Sequence, residues 1–136
     1  MTLTPATAQT FLEENFADWV RALDLTITDI GPDGATLRMP ITQQLARVGG
    51  ILSGQALAAM ADTSMVFACA GHMGAFKPVA TTNLDTVFLR PGTGDTVRCE
   101  AEIVRAGKAL IFARATMIAE PSEKPVATAT ATFFVP

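Results

Sequence analysis

Cysteine is scarce in this sequence. Two residues in 136 carry a thiol. Both, Cys69 and Cys99, lie in apolar segments of a chain with no secretory leader, so reduced buried thiols in a cytoplasmic setting are expected rather than a disulfide framework. A surplus of positive charge is also missing. Ten Lys plus Arg against thirteen Asp plus Glu leave a net charge of −3, which excludes nucleic acid as the default partner. Long apolar runs are absent as well. Ala56 to Ala70 comes nearest, yet it holds Asp62, Thr63 and Ser64 and falls short of the ~20 apolar residues a bilayer requires. It reads as a buried helix, and no membrane association is expected. Met1 to Asn15 lacks the basic start and apolar core of a targeting signal, because Glu13 and Glu14 interrupt it. What the chain does have is apolar content: 49% apolar and 17% charged positions exclude a disordered or fibrous protein. One compact domain, residues 1–136, is expected, with no repeat, low-complexity tract or linker to divide it.

Thr4 before Pro5 marks a helix start, a hydroxyl cap followed by proline at the first helical position. Leu12, Phe16, Trp19 and Leu23 then recur at helical spacing, which predicts a covering helix within residues 1–23. Leu25 to Ile30 and Ala35 to Met39 flank four turn formers, Gly31-Pro32-Asp33-Gly34, and predict a hairpin. Ile41 to Gly50 reads as a loop. Ser53 is placed to cap a helix over 53–71 that is apolar all round and so belongs at the centre of the domain. Four strands are predicted after it: Val79 to Leu89, Thr96 to Arg105, Lys108 to Ile118 and Pro125 to Val135. Val97, Cys99, Ala101 and Ile103 alternate with charged residues, and Ala127, Ala129, Ala131 and Phe133 alternate with threonines, so each of these strands has one buried face. The short connections Pro91 to Asp95 and Ala106-Gly107 predict antiparallel neighbours. An α+β chain results, with an antiparallel sheet wrapped around one long central helix.

The run Ser53-Gly54-Gln55-Ala56-Leu57-Ala58-Ala59-Met60-Ala61-Asp62-Thr63, the segment Val87-Phe88-Leu89-Arg90-Pro91, the turn Arg105-Ala106-Gly107-Lys108 and the strand Ala127 to Phe133 occur in an order and spacing that resembles the hotdog-fold acyl-CoA thioesterases. The likeness is to their phenylacetate-pathway (PaaI-like) group and covers roughly Leu37 to Val135. It implies a dimer or a dimer of dimers. It also implies an acyl-CoA substrate, with coenzyme A entering only as part of that substrate and no other cofactor or metal.

Asp62 is the only charged residue between Arg47 and Lys77, and burying a lone carboxylate in an apolar helix is costly. A structural reading makes it a hydrogen-bonded acid facing a dimer seam or a pocket of water; the resemblance makes it the base or nucleophile at a thioester carbonyl. Gly54, just past the helix start, either permits close packing or, as the resemblance implies, offers its amide to the carbonyl oxygen. Eight residues of helix separate the two by roughly 12 Å. If both act on one atom they come from different subunits, across a two-fold axis. Thr81 matches a family hydroxyl that orients the acid or the water, and Thr82 beside it points to the opposite face.

Three positions depart from the family pattern. Ser53 stands where a histidine is common, Gln55 where a second glycine is, and Arg47 where an amide is; all three are assigned to the substrate side of the site. Arg47 can bind a carboxylate or phosphate, or pair with the partner's acid. Arg90, Arg105 and Lys108 are candidates for the coenzyme phosphates, Lys108 first, though each is also an ordinary solvated charge. His72, the only histidine, reads as a partner of the helix C-terminus. It lies at the wrong end for a hotdog dehydratase or hydratase, which leaves thioester hydrolysis ahead of dehydration. A non-catalytic acyl-CoA-binding protein is the other reading. Met60, Met65 and Phe67 either line an aromatic or medium-chain acyl pocket or belong to the core.

Overall fold

The computed structural model describes residues 3–136. Two short helices, α1 (Pro5–Asn15) and α2 (Asp18–Arg21), precede the hairpin of β1 (Thr26–Gly31) and β2 (Gly34–Pro40). A single 3-10 turn, Gln43–Leu45, leads to the long helix α3 (Gly54–Met73). Strands β3 (Ala80–Phe88), β4 (Thr96–Ala106), β5 (Leu110–Glu120) and β6 (Lys124–Phe134) follow, within two residues of the expected bounds. All six strands form one antiparallel sheet in the order β1-β2-β4-β5-β6-β3. It wraps α3, which is the hotdog architecture. No helix among the described residues is long and apolar enough to cross a membrane.

Local chemistry sets the ends of α3. The Ser53 hydroxyl accepts a hydrogen bond from the Ala56 amide at 3.2 Å, and Gly74, at φ +73°, turns the chain out of the helix through a left-handed conformation that favours glycine. A side chain at Gly71 would place its Cβ 2.2 Å from the Gly31 carbonyl oxygen. Glycine there lets the helix rest directly on the β1–β2 turn. Leu37, Met39, Val97, Cys99, Met117 and Phe133 close over the helix from the sheet. Both cysteines are free and buried, and desolvation pushes their thiols up to about 12, so they stay neutral.

One stripe of α3 stays open. Gln55, Ala58, Ala59, Asp62 and Val66 recur every three to four residues and none is fully buried. The neighbouring strand β3 is exposed along most of its length and stands at the edge of the sheet. Leu84, Val87 and Phe88 are 36%, 51% and 52% exposed there. An apolar edge strand with free backbone groups is the feature that folds normally cover.

Two expectations are corrected. The N-terminal segment is not one helix to residue 23: the chain is extended at Phe16 (φ −90°, ψ 155°) and Ala17, which separates α1 from α2. The break lets Phe16 stack on Phe67 with ring centroids 5.5 Å apart, while Phe11 stacks on Phe76 at 4.3 Å. Aromatic packing overrides the spacing, and Trp19 is left 64% exposed. Nor are β3 and β4 neighbours. β3 pairs with β6, and the seven-residue connection, residues 89–95, runs across the ends of β6 and β5, with Leu89 donating to the Val126 carbonyl and Asp95 to that of Glu120. An extended segment of that length covers the ~14 Å of three strand spacings.

An ion network on the sheet face away from α3 had no signal in the sequence. Glu120 accepts two hydrogen bonds from Arg38, at 3.0 and 3.1 Å, one from Arg98 at 2.6 Å and one from Thr96 at 2.7 Å. Those partners, led by Arg38, hold its carboxyl at about 2, below the ordinary 4.5. A depressed folded value means stability present above 4.5 and lost as pH falls towards 2. After solvent screening, Glu120→Gln is expected to lose about 1 kcal/mol at pH 7. Urea titrations of parent and variant at pH 7 and pH 3 check this: the gap narrows at the lower pH if the network acts as described.

Candidate active site

Asp62 sits on the open stripe of α3, half-buried, and its Oδ1 accepts a hydrogen bond from Thr81 Oγ1 at 2.9 Å. That is its sole partner among the described residues. Desolvation raises its pKa above the ordinary carboxylate value, and the Thr81 bond offsets part of the rise. Thr81 reaches the acid because the β3–β6 register shifts between Thr81 and Asn83. Thr82, at that irregularity, donates to the Thr132 carbonyl instead. The sequence pair is thus resolved into one threonine on the acid and one on the sheet.

The start of α3 forms a second locus. Ser53 uses its hydroxyl on the Ala56 amide, and the Gly54 and Gln55 amides find no acceptor among the described residues. Gly54 forms part of a groove of about 290 Å³ together with Arg47, Leu52, Leu57, Phe88 and Arg90. The Phe88 ring lies so close that a Cβ on Gly54 would be 3.3 Å from its Cζ. Gln55 is exposed on the open stripe. Phe88 and Leu52 were missed as groove-forming residues; the only sequence signal was the Val87 to Pro91 segment itself.

The structure therefore gathers Arg47, Gly54 and Arg90 at one end of the helix, with Asp62 and Thr81 roughly 12 Å further along its axis. Within one chain, Arg47 makes no ion pair with Asp62. Lys108 lies elsewhere, beside His72 and Lys77 in a separate groove of about 280 Å³ at the C-terminal end of α3. His72 is in the last turn of the helix. Met60, Met65 and Phe67 are 0%, 0% and 1% exposed. They are core residues of the chain and line neither groove. A larger concavity, about 490 Å³, is on the opposite face of the sheet beside Asp29, Asp33, Glu100 and Glu102. It contains none of the residues above. Among the described residues, no three His, Cys, Asp or Glu side chains are grouped to hold a metal ion.

Comparison with known proteins identifies the family and the fold. The thioesterase superfamily matches residues 49–126, more than half of the chain and the span that includes α3 and β3. The chain belongs to that superfamily. Ta0293 of Thermoplasma acidophilum, named as a candidate esterase, is 27% identical over 95 residues, covering 69% of this chain and 70% of that protein. A thioesterase family protein from Silicibacter pomeroyi is 26% identical with a TM-score of 0.83, covering 93% of each chain. The thioesterase HI1161 of Haemophilus influenzae has the same fold, with a TM-score of 0.89 at 20% identity over all of this chain and 92% of that one.

Proposed function

We infer that the chain hydrolyses acyl-CoA thioesters to the free acid and coenzyme A, in the manner of the PaaI-like group, at a site shared by two subunits. The observation that carries this reading is Asp62: a desolvated carboxylate with one oxygen held by Thr81, on the one stripe of the central helix that the chain leaves open. A second copy, added antiparallel across that stripe and along the edge of β3, brings the partner's helix start to Asp62. It also covers Leu84, Val87 and Phe88. Catalysis thus needs a dimer at least, and a dimer of dimers is compatible with it.

In this arrangement the thioester oxygen accepts from the partner's Gly54 amide, where the unpaired N–H and the helix dipole favour negative charge. Asp62 takes a proton from water as the water oxygen attacks the carbonyl carbon. The tetrahedral oxyanion collapses, the C–S bond breaks, and the proton passes to the coenzyme thiolate. Direct attack by Asp62 through a mixed anhydride is the alternative route, and a single turnover in ¹⁸O-labelled water tests it: label in Asp62 requires an anhydride whose aspartyl carbonyl is attacked by water, whereas rapid-quench trapping of an acylated Asp62 detects the anhydride whichever carbonyl water attacks. No cofactor beyond the coenzyme A of the substrate enters these steps. Lys108, with Lys77, supports the coenzyme phosphates from the far groove. Neutral Cys69 and Cys99 suit a reducing, cytoplasmic setting.

The test is a panel of acyl-CoAs of aromatic, medium-chain and short dicarboxylic type, read by a thiol reagent. Released thiol supports hydrolysis. Thermal stabilisation by the same compounds without thiol release means a binding protein instead.

A further inference from the structure

Resting on the thioesterase reading, we propose that the groove at the start of α3 receives an anionic group at the far end of the acyl chain, with Arg47 and Arg90 as its receptors. Short dicarboxylic monothioesters are then the preferred substrates.

The argument starts from charge. Of the seven arginines, Arg21, Arg38, Arg98 and Arg114 are ion-paired with carboxylates. Arg47, Arg90 and Arg105 are in no ion pair among the described residues, and two of these three line the same groove. No Asp or Glu is in its wall, which otherwise consists of apolar side chains and glycine. Two guanidiniums lie beside an apolar surface with no acid of their own chain in the groove, and the one acid the dimer brings there, the partner's Asp62, offsets only one of the two charges, so an external anion completes the site. The planar fork of arginine matches a carboxylate or a phosphate, and the apolar wall strengthens the attraction by displacing water.

Both an acyl carboxylate and a coenzyme phosphate have that chemistry. Reach separates them. The first phosphorus of coenzyme A is about thirteen bonds from sulfur, roughly 15 Å when extended at about 3.3–3.6 Å per three bonds. The groove, at about 290 Å³, is about 8 Å across if compact, and Gly54 is part of its wall. An anion held there lies only a few bonds from a carbonyl on the Gly54 amide. That is the position of the second carboxylate of a four- or five-carbon diacid.

The experiment compares kcat/KM for glutaryl-CoA and pentanoyl-CoA, and for the same two acyl groups on N-acetylcysteamine, which carries no phosphate. The ratio of the two substrates within one protein does not depend on how much of it is folded. Parent protein is expected to favour glutaryl at least tenfold on both carriers, and the Arg47→Gln/Arg90→Gln double variant to bring the ratio towards one. If the double variant loses CoA substrates regardless of acyl group and keeps N-acetylcysteamine substrates, the groove holds a coenzyme phosphate and the carboxylate assignment is overturned. Parent hydrolysis with a ratio near one overturns it too, while leaving the thioesterase reading intact. If no thioester is cleaved, that reading fails, and equilibrium binding of the two CoA esters decides the groove: equal affinities overturn the proposal, and a tenfold preference for glutaryl-CoA that the double variant loses sustains it.

Discussion

Replacing Asp62 by asparagine is expected to lower kcat by about a hundredfold or more, close to 3 kcal/mol of transition-state stabilisation. Asparagine keeps the shape of the side chain, and its amide oxygen can still accept from Thr81. What disappears is the charge that takes a proton from water. Stability should move the other way: burial makes the ionised acid costly in the folded protein and raises its pKa, so at pH 7 the variant is expected to melt no lower than the parent. Loss of rate without loss of stability separates a catalytic acid from a structural one. The pH profile gives an independent reading. Because the base must be ionised, kcat falls as pH drops through a value above that of an ordinary carboxylate. Thr81→Val removes the bond that holds the value down, so the acid limb of its profile should shift towards neutral pH. A folded Asp62→Asn dimer with near-parental turnover would end the assignment.

Much of this molecule was legible before any coordinates. The hairpin, the central helix and the strand faces follow from turn residues, a serine cap and alternation, all of which act over a few residues. Asp62 stood out for the same local reason, as the one acid in an apolar helix. What was not legible depends on contacts between segments far apart in the chain. Phe16 breaks the N-terminal helix because Phe67, fifty-one positions later, offers a ring to stack on. β3 bypasses β4 to pair with β6, far later in the chain, which no single connection reveals. Glu120 could not be singled out, since Arg38 and Arg98 come to it from two other strands. The site is similarly divided: the Thr81 hydroxyl was visible as a candidate, but its choice over Thr82 depends on an irregularity in the β3–β6 register. Arg47 and Arg90 were each visible as single cations. Their common groove follows only from packing β3's C-terminal end against the start of α3.

The division of the site between subunits makes the second large effect testable by mixing. Gly54→Pro removes the amide hydrogen at the first helical position, where proline is otherwise compatible with a helix. It places atoms near Phe88, so its circular dichroism and dimer mass are checked first. Alone, it is expected to lose about a hundred- to a thousandfold in kcat, the range for removal of one oxyanion donor. Asp62→Asn alone is expected to lose its rate for a different reason, the missing base. When the two variants exchange subunits, each heterodimer has one site with both defects and one with neither, because the intact Asp62 comes from the Gly54→Pro subunit and the intact Gly54 from its partner. Random pairing of equal amounts then restores about a quarter of the parental sites. Activity should rise with the time course of subunit exchange and reach that plateau. If exchange is verified by mass and activity stays at the level of the separate variants, Asp62 and Gly54 do not act on one carbonyl from different chains. The roughly 12 Å between them in a single helix would then have to be bridged in some other way, and the shared-site mechanism fails.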